Sequence, residues 1–308
     1  MDFEHIPVLL EETITSLNIR PDGIYIDGTA GGGGHSEQIA KRLINGRLLA
    51  IDRDPEAVEA ATNRLHPFSL AEVVHGNFSD MTALAAGKGI TSADGILLDI
   101  GVSSHQLDDG ERGFSFHKDA PLDMRMSKTG LSAQDVVNGY SEETLASVIY
   151  RYGEDKFSRK IASAIVRARE SAPIERTLQL AEIISKSVPA AARRDGHPAR
   201  KTFQALRIEV NGELDCLKKA LDDAFELLNV GGVLSVITFH SLEDKIVKDK
   251  FNELKTGCTC PSDFPVCVCG KKPRGRVSKP ITASNEELEI NPRSRSAKLR
   301  SVIKLENT

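Results

Sequence analysis

The chain has 308 residues, of which 40% are hydrophobic and 27% are charged, and its formal net charge is −4. These values are ordinary for a globular protein, and no apolar run reaches the roughly 20 residues that a membrane helix needs. The first residues mix acidic with apolar side chains and carry no basic segment, so we expect no secretory signal, no membrane partner and a cytoplasmic location.

The first hundred residues alternate apolar strands with helices. Strands are predicted at GIYID, RLLAID, AEVV and GILLD, and segments with helical spacing lie between them. Asp54 and Pro55 are typical of the N-cap and first turn of a helix. Strands that alternate with helices indicate a parallel sheet with helices on its faces.

From about residue 106 to residue 207 the pattern changes to helices, without a convincing buried strand. A long helical pattern over residues 202–228 leads to two further strands, VLSVITF and SAKLRSVIKL. Because VLSVITF would lack neighbours by itself, we predict one α/β domain, 1–107 and 208–308, interrupted by a helical domain at 108–207. Two sequential domains are the alternative.

Charge is distributed unevenly along the chain. Residues 1–107 hold 15 acidic and 7 basic side chains, whereas residues 271–308 hold 10 basic and 4 acidic ones. A basic segment on an acidic body favours a polyanionic partner such as nucleic acid. A solvated tail would have the same composition.

A glycine run, Gly31 to Gly34, follows the first predicted strand. A turn from strand to helix directs backbone N–H groups outward, and glycine lets a ligand approach them closely. The run departs from the dinucleotide fingerprint because Ser36 occupies the third glycine position, and the G-K-[ST] sequence of a P-loop is missing. A simple tight turn is the alternative interpretation.

Three acidic residues, Asp27, Asp52 and Asp99, each end a predicted strand. Ligands of open α/β sheets lie beyond the carboxyl ends of the strands, so we expect these carboxylates to converge on one crevice. Asp52 is placed to accept hydrogen bonds from ribose hydroxyls. Acidic strand ends without a phosphate-binding loop favour S-adenosylmethionine, which carries a sulfonium cation and no phosphate.

Several long strings resemble the ribosomal RNA small-subunit methyltransferase H family, also called MraW. They include DGTAGGGGHS at 27–36, LDDGERGFSF at 107–116, FQALRIEVNGEL at 203–214 and TFHSLED at 238–244. The resemblance spans nearly the whole chain. It implies a class I S-adenosylmethionine-dependent, Rossmann-like methyltransferase sheet with a helical insertion that recognises RNA. It also implies N4-methylation of a cytidine in the decoding region (the P site) of 16S rRNA, within the small ribosomal subunit. Monomer and homodimer both stay open.

The resemblance further implies which residues bind the cofactor, namely Gly33, Gly34, His35, Asp52, Phe78, Asp99 and Gln106. In this scheme Asp52 holds the ribose, Phe78 lies near the adenine, and Asp99 and Gln106 lie near the methionine end. His105 stands where relatives often have proline.

Two residues are candidates for the chemistry. The N4 lone pair of cytosine is delocalised into the ring, so an acceptor for an N4–H would help, and Asp99 is the candidate. His240 follows the VLSVITF strand and is a candidate contact to the base. A structural contact to the cofactor amine is the alternative for Asp99, because the D/N/S-P-P-Y/F loop of many amino-methyltransferases is missing. A buried strand cap is the alternative for His240.

Basic residues near the end of the predicted insertion and near the C-terminal strands are candidate phosphate contacts. They are Arg193, Arg194, Arg200, Lys201, Lys271, Lys272, Arg274 and Arg276. Solvated loops are the alternative for both stretches.

The cysteines Cys258, Cys260, Cys267 and Cys269 form the pattern C-x-C-x6-C-x-C. In a cytosolic protein such a cluster favours structural zinc over disulfides. The spacing differs from the usual C-x2-C, so free thiols or redox pairing remain open. Cys216 is predicted to lie in a helix and to belong to the hydrophobic core of the protein.

The leading function is therefore an RNA N4-cytosine methyltransferase. An enzyme of the same fold that acts on DNA or a small molecule is a second reading. A non-enzymatic RNA-binding factor for ribosome assembly is a third.

Overall fold

The computed structural model describes residues 7–190, 196–258, 260–261, 264–266 and 268–306. The chain divides into two compact units, Met1–Gly101 with Leu214–Thr308, and Val102–Glu213. Within the described ranges, no helix combines the length and the hydropathy that a membrane span requires.

The strands of the first unit form a sheet with the order β3-β2-β1-β4-β5-β8-β6, and β7 also pairs with β8. Strands β1 to β5 are parallel, and β8 is antiparallel to its three partners β5, β6 and β7. Because β1 lies between β2 and β4, the order confirms the expected Rossmann-like sheet. The strands are β1 Ile24–Asp27, β2 Arg47–Asp52, β3 Ala71–His75, β4 Ala93–Asp99, β5 Leu228–Thr238, β6 Gly275–Val277, β7 Ile281–Thr282 and β8 Lys298–Lys304.

Helices connect these strands and make up most of the second unit. They are α1 Leu10–Leu17, α2 Gly34–Ala40, α3 Pro55–Leu65, α4 Met81–Gly87, α5 Ser104–Asp108, α6 Ala133–Gly139, α7 Glu142–Gly153, α8 Ser158–Ser171, α9 Thr177–Ser187, α10 Ala199–Asn211, α11 Glu213–Leu227, α12 Ser241–Lys255 and α13 Asn285–Ile290. Helix α3 begins as the sequence predicts, because the Asp54 side chain accepts a hydrogen bond from the Glu56 N–H and Pro55 occupies the first turn.

Apolar side chains cover both faces of the sheet because successive residues of a strand point to opposite sides. On one face Ile96 and Leu98 of β4 belong to a cluster with Phe225 of α11 and Phe251 of α12. On the other face Leu97 belongs to a cluster with residues of α1, α2 and α3. Each fully buried Leu or Ile contributes about 1.5–3 kcal/mol relative to an exposed one. The sheet is therefore held between two layers of helices.

The second unit has a helical core of its own. Its buried cluster includes Val136, Leu145, Ile161, Leu180 and Leu206, which come from five different helices. No strand occurs in residues 102–190 and 196–213, the described parts of this unit, apart from an isolated bridge between Pro121 and Arg176.

Buried hydrogen bonds join segments of the second unit that are distant in the sequence. The Asn211 side chain accepts the Met126 N–H (2.9 Å) and donates to the Met124 carbonyl (2.8 Å). Arg112 Nη2 donates to the carbonyls of Arg125 and Met126, each at 3.1 Å. These side chains supply the backbone of 124–126 with the partners that a regular element would otherwise provide.

The structure departs from the sequence prediction in several respects. The helix predicted over 202–228 is interrupted at Gly212, whose φ of +59° ends α10 in the left-handed conformation that glycine favours. Helix α12 was not predicted. The two units divide at 101/102 and 213/214, whereas the predicted boundaries were 107/108 and 207/208. A role of the helical unit in RNA recognition stays a prediction.

Candidate active site

Three carboxylates lie at the carboxyl edge of neighbouring strands. Asp27 ends β1, Asp52 ends β2 and Asp99 ends β4. Since β1 lies between β2 and β4, the chain leaves β1 toward one side while β4 pairs on the other. Such a switch point opens the crevice in which α/β sheets bind their ligands.

Asp27 is buried, and both of its oxygens accept hydrogen bonds. The Ser36 hydroxyl donates to Oδ2 (2.6 Å) and the Thr29 N–H donates to Oδ1 (3.1 Å). Burial, which disfavours the charged form, raises the pKa of Asp27 to about 6. Ser36, at the position where a dinucleotide site has its third glycine, therefore has a defined partner.

Asp52 joins the glycine run to the end of β2. Its Oδ2 accepts the Gly31 N–H (2.8 Å) and its Oδ1 accepts the Asp54 N–H (2.9 Å). Burial raises the pKa of Asp52 above its usual value. A carboxylate offers about four acceptor positions, so these two bonds leave room for ribose hydroxyls.

The glycine run has two different halves. Gly31 (φ +51°) and Gly33 (φ +80°) both adopt the left-handed conformation. A Cβ at Gly31 or Gly32 would meet no described atom within 4 Å, whereas a Cβ at Gly33 would lie 3.3 Å from Ala61 Cα and one at Gly34 would collide with Pro7. Gly31 and Gly32 thus border open space. Positions 33 and 34 have no room for a larger side chain because other residues of the protein pack against them. Any contact to a ligand would therefore come from their backbone.

The two carboxylate oxygens of Asp99 have different surroundings. Its backbone N–H donates to Thr29 Oγ1 (2.6 Å), and its Oδ2 lies 3.7 Å from His35 Nδ1. Its Oδ1 is buried and lacks a hydrogen-bond partner among the described residues. Burial raises the pKa of Asp99 well above its usual value, and the nearby carboxylates of Asp27 and Glu243 raise it further.

His35 supports the site from inside the protein. The residue is 5% exposed, and its Nε2 lies 3.1 Å from the Val8 carbonyl oxygen. A carbonyl can only accept, so Nε2 carries the ring proton in the neutral form. The imidazole therefore ties the start of α2 to residue 8, and its Nδ1 lies near Asp99 without a hydrogen bond to it.

His240 is the N-cap of α12. Its Nδ1 accepts the Glu243 N–H (3.4 Å), and its Nε2 lies 2.9 Å from Glu243 Oε1. Because Nδ1 is an acceptor, Nε2 carries the ring proton in the neutral form, and the short approach of Nε2 to Oε1 lacks the geometry of a hydrogen bond. Glu243 is fully buried, and its Oε2 accepts the backbone N–H groups of Phe239 (2.8 Å) and His240 (3.2 Å). These are the contacts of a buried cap, while a catalytic role of His240 stays a prediction.

Phe78 and Gln106 lie in different units. Phe78 begins a 3-10 turn after β3 and packs beside Gly28, where a Cβ would lie 3.1 Å from Phe78 Cβ. Gln106 is a buried residue of α5 in the second unit, where its Oε1 accepts the Ser103 N–H (3.0 Å) in a capping box. The first unit therefore brings together the predicted site residues except Gln106.

Of the predicted RNA contacts that the structure describes, five are exposed and Arg274 is half-buried. Arg200 and Lys201 are exposed at the start of α10, and Lys201 donates to the Glu154 carbonyl (3.1 Å). Arg274 pairs with Glu226 at 2.6 Å and lies over the Phe225 ring at 5.2 Å, so it also has a structural role. Lys271, Lys272 and Arg276 are exposed. Arg193 and Arg194 lie outside the described residues.

Sulfur atoms of the predicted metal site lie close together. Cys258, Cys260 and Cys269 converge in the connection between α12 and β6, and Cys267 lies outside the described residues. Cys216 is half-buried in α11, where its sulfur accepts from the Asn77 side chain at 3.5 Å.

Sequence reasoning missed Thr29, Ser36 and Glu243 as site residues. Thr29 and Ser36 lie in the string DGTAGGGGHS, in which only the acid, the glycines and the histidine were predicted to be site residues. Glu243 follows His240 by three residues, the spacing of a capping box, and this signal was available in the sequence.

Comparison with known proteins shows the family to which the chain belongs. The MraW methylase family matches residues 2–305 of the chain. The chain belongs to this family. Ribosomal RNA small subunit methyltransferase H of Clostridium botulinum (strain Kyoto / Type A2) is 56% identical over 304 residues, which cover 97% of this chain and 98% of that protein. The protein of the same name from strain Hall is 55% identical over the same shares.

Among solved structures, an rRNA methylase of Streptococcus thermophilus aligns over 98% of both chains with 10% identity and a TM-score of 0.44. Membership in the MraW methylase family confirms the resemblance that the sequence strings indicated, and it makes this chain a methyltransferase. The observed sheet, with glycine run and acidic strand ends at one edge, has the form that such a fold requires.

Proposed function

We propose that this member of the MraW methylase family uses S-adenosylmethionine to methylate N4 of a specific cytidine in the decoding region (the P site) of 16S rRNA. The observation that carries the proposal is the set of three strand-end carboxylates, in which Asp99 Oδ1 is buried without a partner among the described residues. The name of the Clostridium botulinum relatives supports small-subunit rRNA as the substrate. The cytoplasm is the expected location.

The residues at this edge fit the cofactor. S-adenosylmethionine, when bound, supplies an electrophilic methyl group on a sulfonium centre. Asp99 Oδ1 offers an acceptor for a cationic group, and a cation would offset the cost of ionising a carboxyl whose pKa is raised by burial. The open space over Gly31 and Gly32 leaves room for the nucleoside.

In this arrangement Asp52 holds the ribose, Phe78 lies near the adenine, and the backbone of Gly33, Gly34 and His35 lines the cofactor. Gln106 contributes at the methionine end. Asp52 is well suited because the Gly31 and Asp54 N–H groups fix its orientation before the ligand arrives.

Asp99 is the proposed catalytic residue. A carboxylate that accepts a hydrogen bond from the cytosine N4–H increases the electron density on N4 and is placed to take the proton that leaves. Its raised pKa makes it a stronger base than an exposed aspartate. Thr29 holds its backbone and His35 faces one of its oxygens, so the other oxygen is the one available to a substrate.

His240 is proposed as a positioning residue. Both ring nitrogens face Glu243, which in turn binds the backbone of the turn after β5. That turn follows the strand paired with β4, and Glu243 is near enough to raise the pKa of Asp99. His240 would therefore act on the site by fixing this turn.

The target base must be unpaired or splayed out, because N4 is hidden inside a base pair. The second unit offers a basic surface for the surrounding RNA, around the α7–α8 connection and the start of α10. Its exposed basic residues are Arg151, Lys156, Arg159, Lys160, Arg200 and Lys201. The hydrogen bond from Lys201 to the Glu154 carbonyl joins the two segments, and Tyr150, 65% exposed, offers a ring for stacking. Lys271, Lys272 and Arg276 are proposed phosphate contacts of the first unit.

The test is transfer of labelled methyl from S-adenosylmethionine to small subunits and to free 16S rRNA from a strain that lacks the enzyme. Digestion to nucleosides and mass spectrometry would identify the product. N4-methylcytidine at one position supports the proposal. Methylation at another atom or in another RNA would overturn it. Cofactor binding without transfer to any RNA would favour an assembly factor.

A further inference from the structure

The connection between α12 and β6, residues 256–274, contains no helix or strand in its described part. Its two ends approach closely, since a Cβ at Gly257 would lie 2.5 Å from Pro273 Cδ. Its apolar side chains Phe264, Val266 and Val268 are 52%, 70% and 73% exposed. Apolar burial therefore does little to fix this long connection, and loops of this length without secondary structure are uncommon in compact domains.

Three cysteines, and not apolar side chains, form the cluster inside this connection. One sulfur from each of Cys258, Cys260 and Cys269 lies within 4.8 Å of the other two. The Cys258 and Cys269 sulfurs are 3.8 Å apart. A tetrahedral zinc ion with Zn–S bonds of about 2.3 Å holds its sulfur ligands about 3.8 Å apart, whereas a disulfide requires about 2.0 Å. The Cys258–Cys269 separation, at which one thiol can donate a hydrogen bond to the other sulfur, is also compatible with two ligands of one ion.

Backbone amides are directed at these sulfurs. The Cys260 N–H donates to Cys258 Sγ (3.4 Å), and the Val268 N–H donates to Cys260 Sγ (3.4 Å). A sulfur that accepts an N–H bond is better stabilised as a thiolate, which is the form that binds metal. Such bonds also orient the ligands of metal sites.

We propose that Cys258, Cys260 and Cys269 bind a zinc ion that fixes the connection between α12 and β6. Three thiols release their protons to solvent as three Zn–S bonds form, and no electron is transferred. The three cysteines supply three of the four positions of a tetrahedral zinc ion, and they lie in a different segment from the carboxylates of the candidate active site. Lys271 and Lys272 follow Cys269 after a single glycine, Gly270, so the ion would also restrict the position of this basic pair.

The experiment is elemental analysis of the full-length, untagged protein expressed with zinc in the medium. We expect about one zinc per chain, as in other structural sites. The triple variant C258S/C260S/C269S should contain almost none, and C216S, which changes the cysteine of α11, should contain as much as the wild type. Replacement of zinc by cobalt should give the thiolate-to-metal absorption of a tetrahedral sulfur site, and that absorption should be absent from the triple variant.

Two results would overturn the proposal. One is a wild-type metal content no higher than that of the triple variant, with the wild-type protein folded by circular dichroism. The other is a Cys258–Cys269 disulfide found by mass mapping of the freshly purified protein. The readouts are metal content and absorption, so failure of the methyltransferase proposal would leave them unaffected.

Discussion

His35 Nδ1 lies 3.7 Å from Asp99 Oδ2, while His35 Nε2 lies 3.1 Å from the carbonyl oxygen of Val8. One imidazole, on the helix that follows the glycine run, thus binds residue 8 and lies beside the carboxylate at the end of β4. The other oxygen of Asp99 is left without a partner in the described part of the chain. The two carboxylate oxygens of Asp99 therefore differ in what surrounds them.

Replacement of Asp99 by Asn should weaken cofactor binding. A hydrogen bond between charged groups contributes about 1.5–3 kcal/mol, so the Kd for S-adenosylmethionine should rise about 10-fold to 100-fold. Methyl transfer should fall by more than the affinity does, because an amide oxygen can still accept the N4–H bond but cannot take the proton. Titration calorimetry and a single-turnover transfer assay measure the two effects, with D80N, an exposed acid, as control. An unchanged Kd and rate would remove Asp99 from the site.

Replacement of Asp52 by Ala should lower cofactor affinity, while D54A should not. Both residues accept backbone N–H groups at the start of α3, but Asp52 alone also binds the glycine run. Loss of the Asp54 cap should cost about 1 kcal/mol of stability. Equilibrium binding and thermal unfolding of both variants would separate ribose recognition from capping. Equal losses of affinity in the two variants would contradict the assignment.

Asp27 should make the protein less stable as the pH rises. Its pKa is about 6 in the folded state against 3.8 for an unperturbed aspartate, so between these values the folded state binds more protons than the unfolded state. The free energy of unfolding then falls with rising pH, by up to about 3 kcal/mol from this group. The D27N variant should lack this slope, so its stability relative to wild type should increase from pH 4 to pH 7. Urea denaturation at several pH values, with exposed D22N as control, tests this. Parallel curves for D27N and wild type would refute it.

The variants H240A and H240N should behave differently. Alanine removes the cap of α12 and should cost about 1 kcal/mol of stability, whereas asparagine is a favourable cap and should restore it. A positioning role predicts that H240N also keeps methyl transfer within a few-fold of wild type. If H240N is stable and binds cofactor but transfers no methyl group, the imidazole itself takes part in catalysis.

Charge reversal at Arg200 and Lys201 should weaken RNA binding and its dependence on salt. Each lost phosphate contact lowers the slope of log K against log salt by about one. The pair K271E/K272E should act in the same way. Filter binding over a range of salt concentrations measures the slope, with K186E on α9 as control. A slope equal to that of wild type would exclude the altered residues from the interface.

Much of the α/β pattern could be predicted because its signals are local. The alternation of apolar residues identified β1 to β5, and the acids at strand ends needed only the rule that parallel strands share a carboxyl edge. The break at Gly212 was missed although Asn-Gly is a usual helix end, because the apolar spacing continues on both sides. Helix α12 was missed although His240 and Glu243 have the spacing of a capping box.

Other features required the folded chain. The bond between Ser36 and Asp27 and the approach of His35 to Asp99 depend on how the turn after β1 folds back and on which strand lies beside β1. The antiparallel direction of β8 follows from pairings with β5, β6 and β7 that no local pattern encodes. The cysteine pattern was visible, but the distances between its sulfurs were not.

The parallel pairing of β4 with β5 joins residues such as Asp99 and Ile237, which are separated in the chain by the whole helical unit. Contacts across such a separation form slowly, because the chain loses entropy when a long loop closes. A unit built from neighbouring helices acquires its structure through short-range contacts and shortens that loop before the strands meet. We therefore expect the helices of 102–213 to gain protection from hydrogen exchange before β5 does, so that the edge bearing Asp99 is completed late in folding.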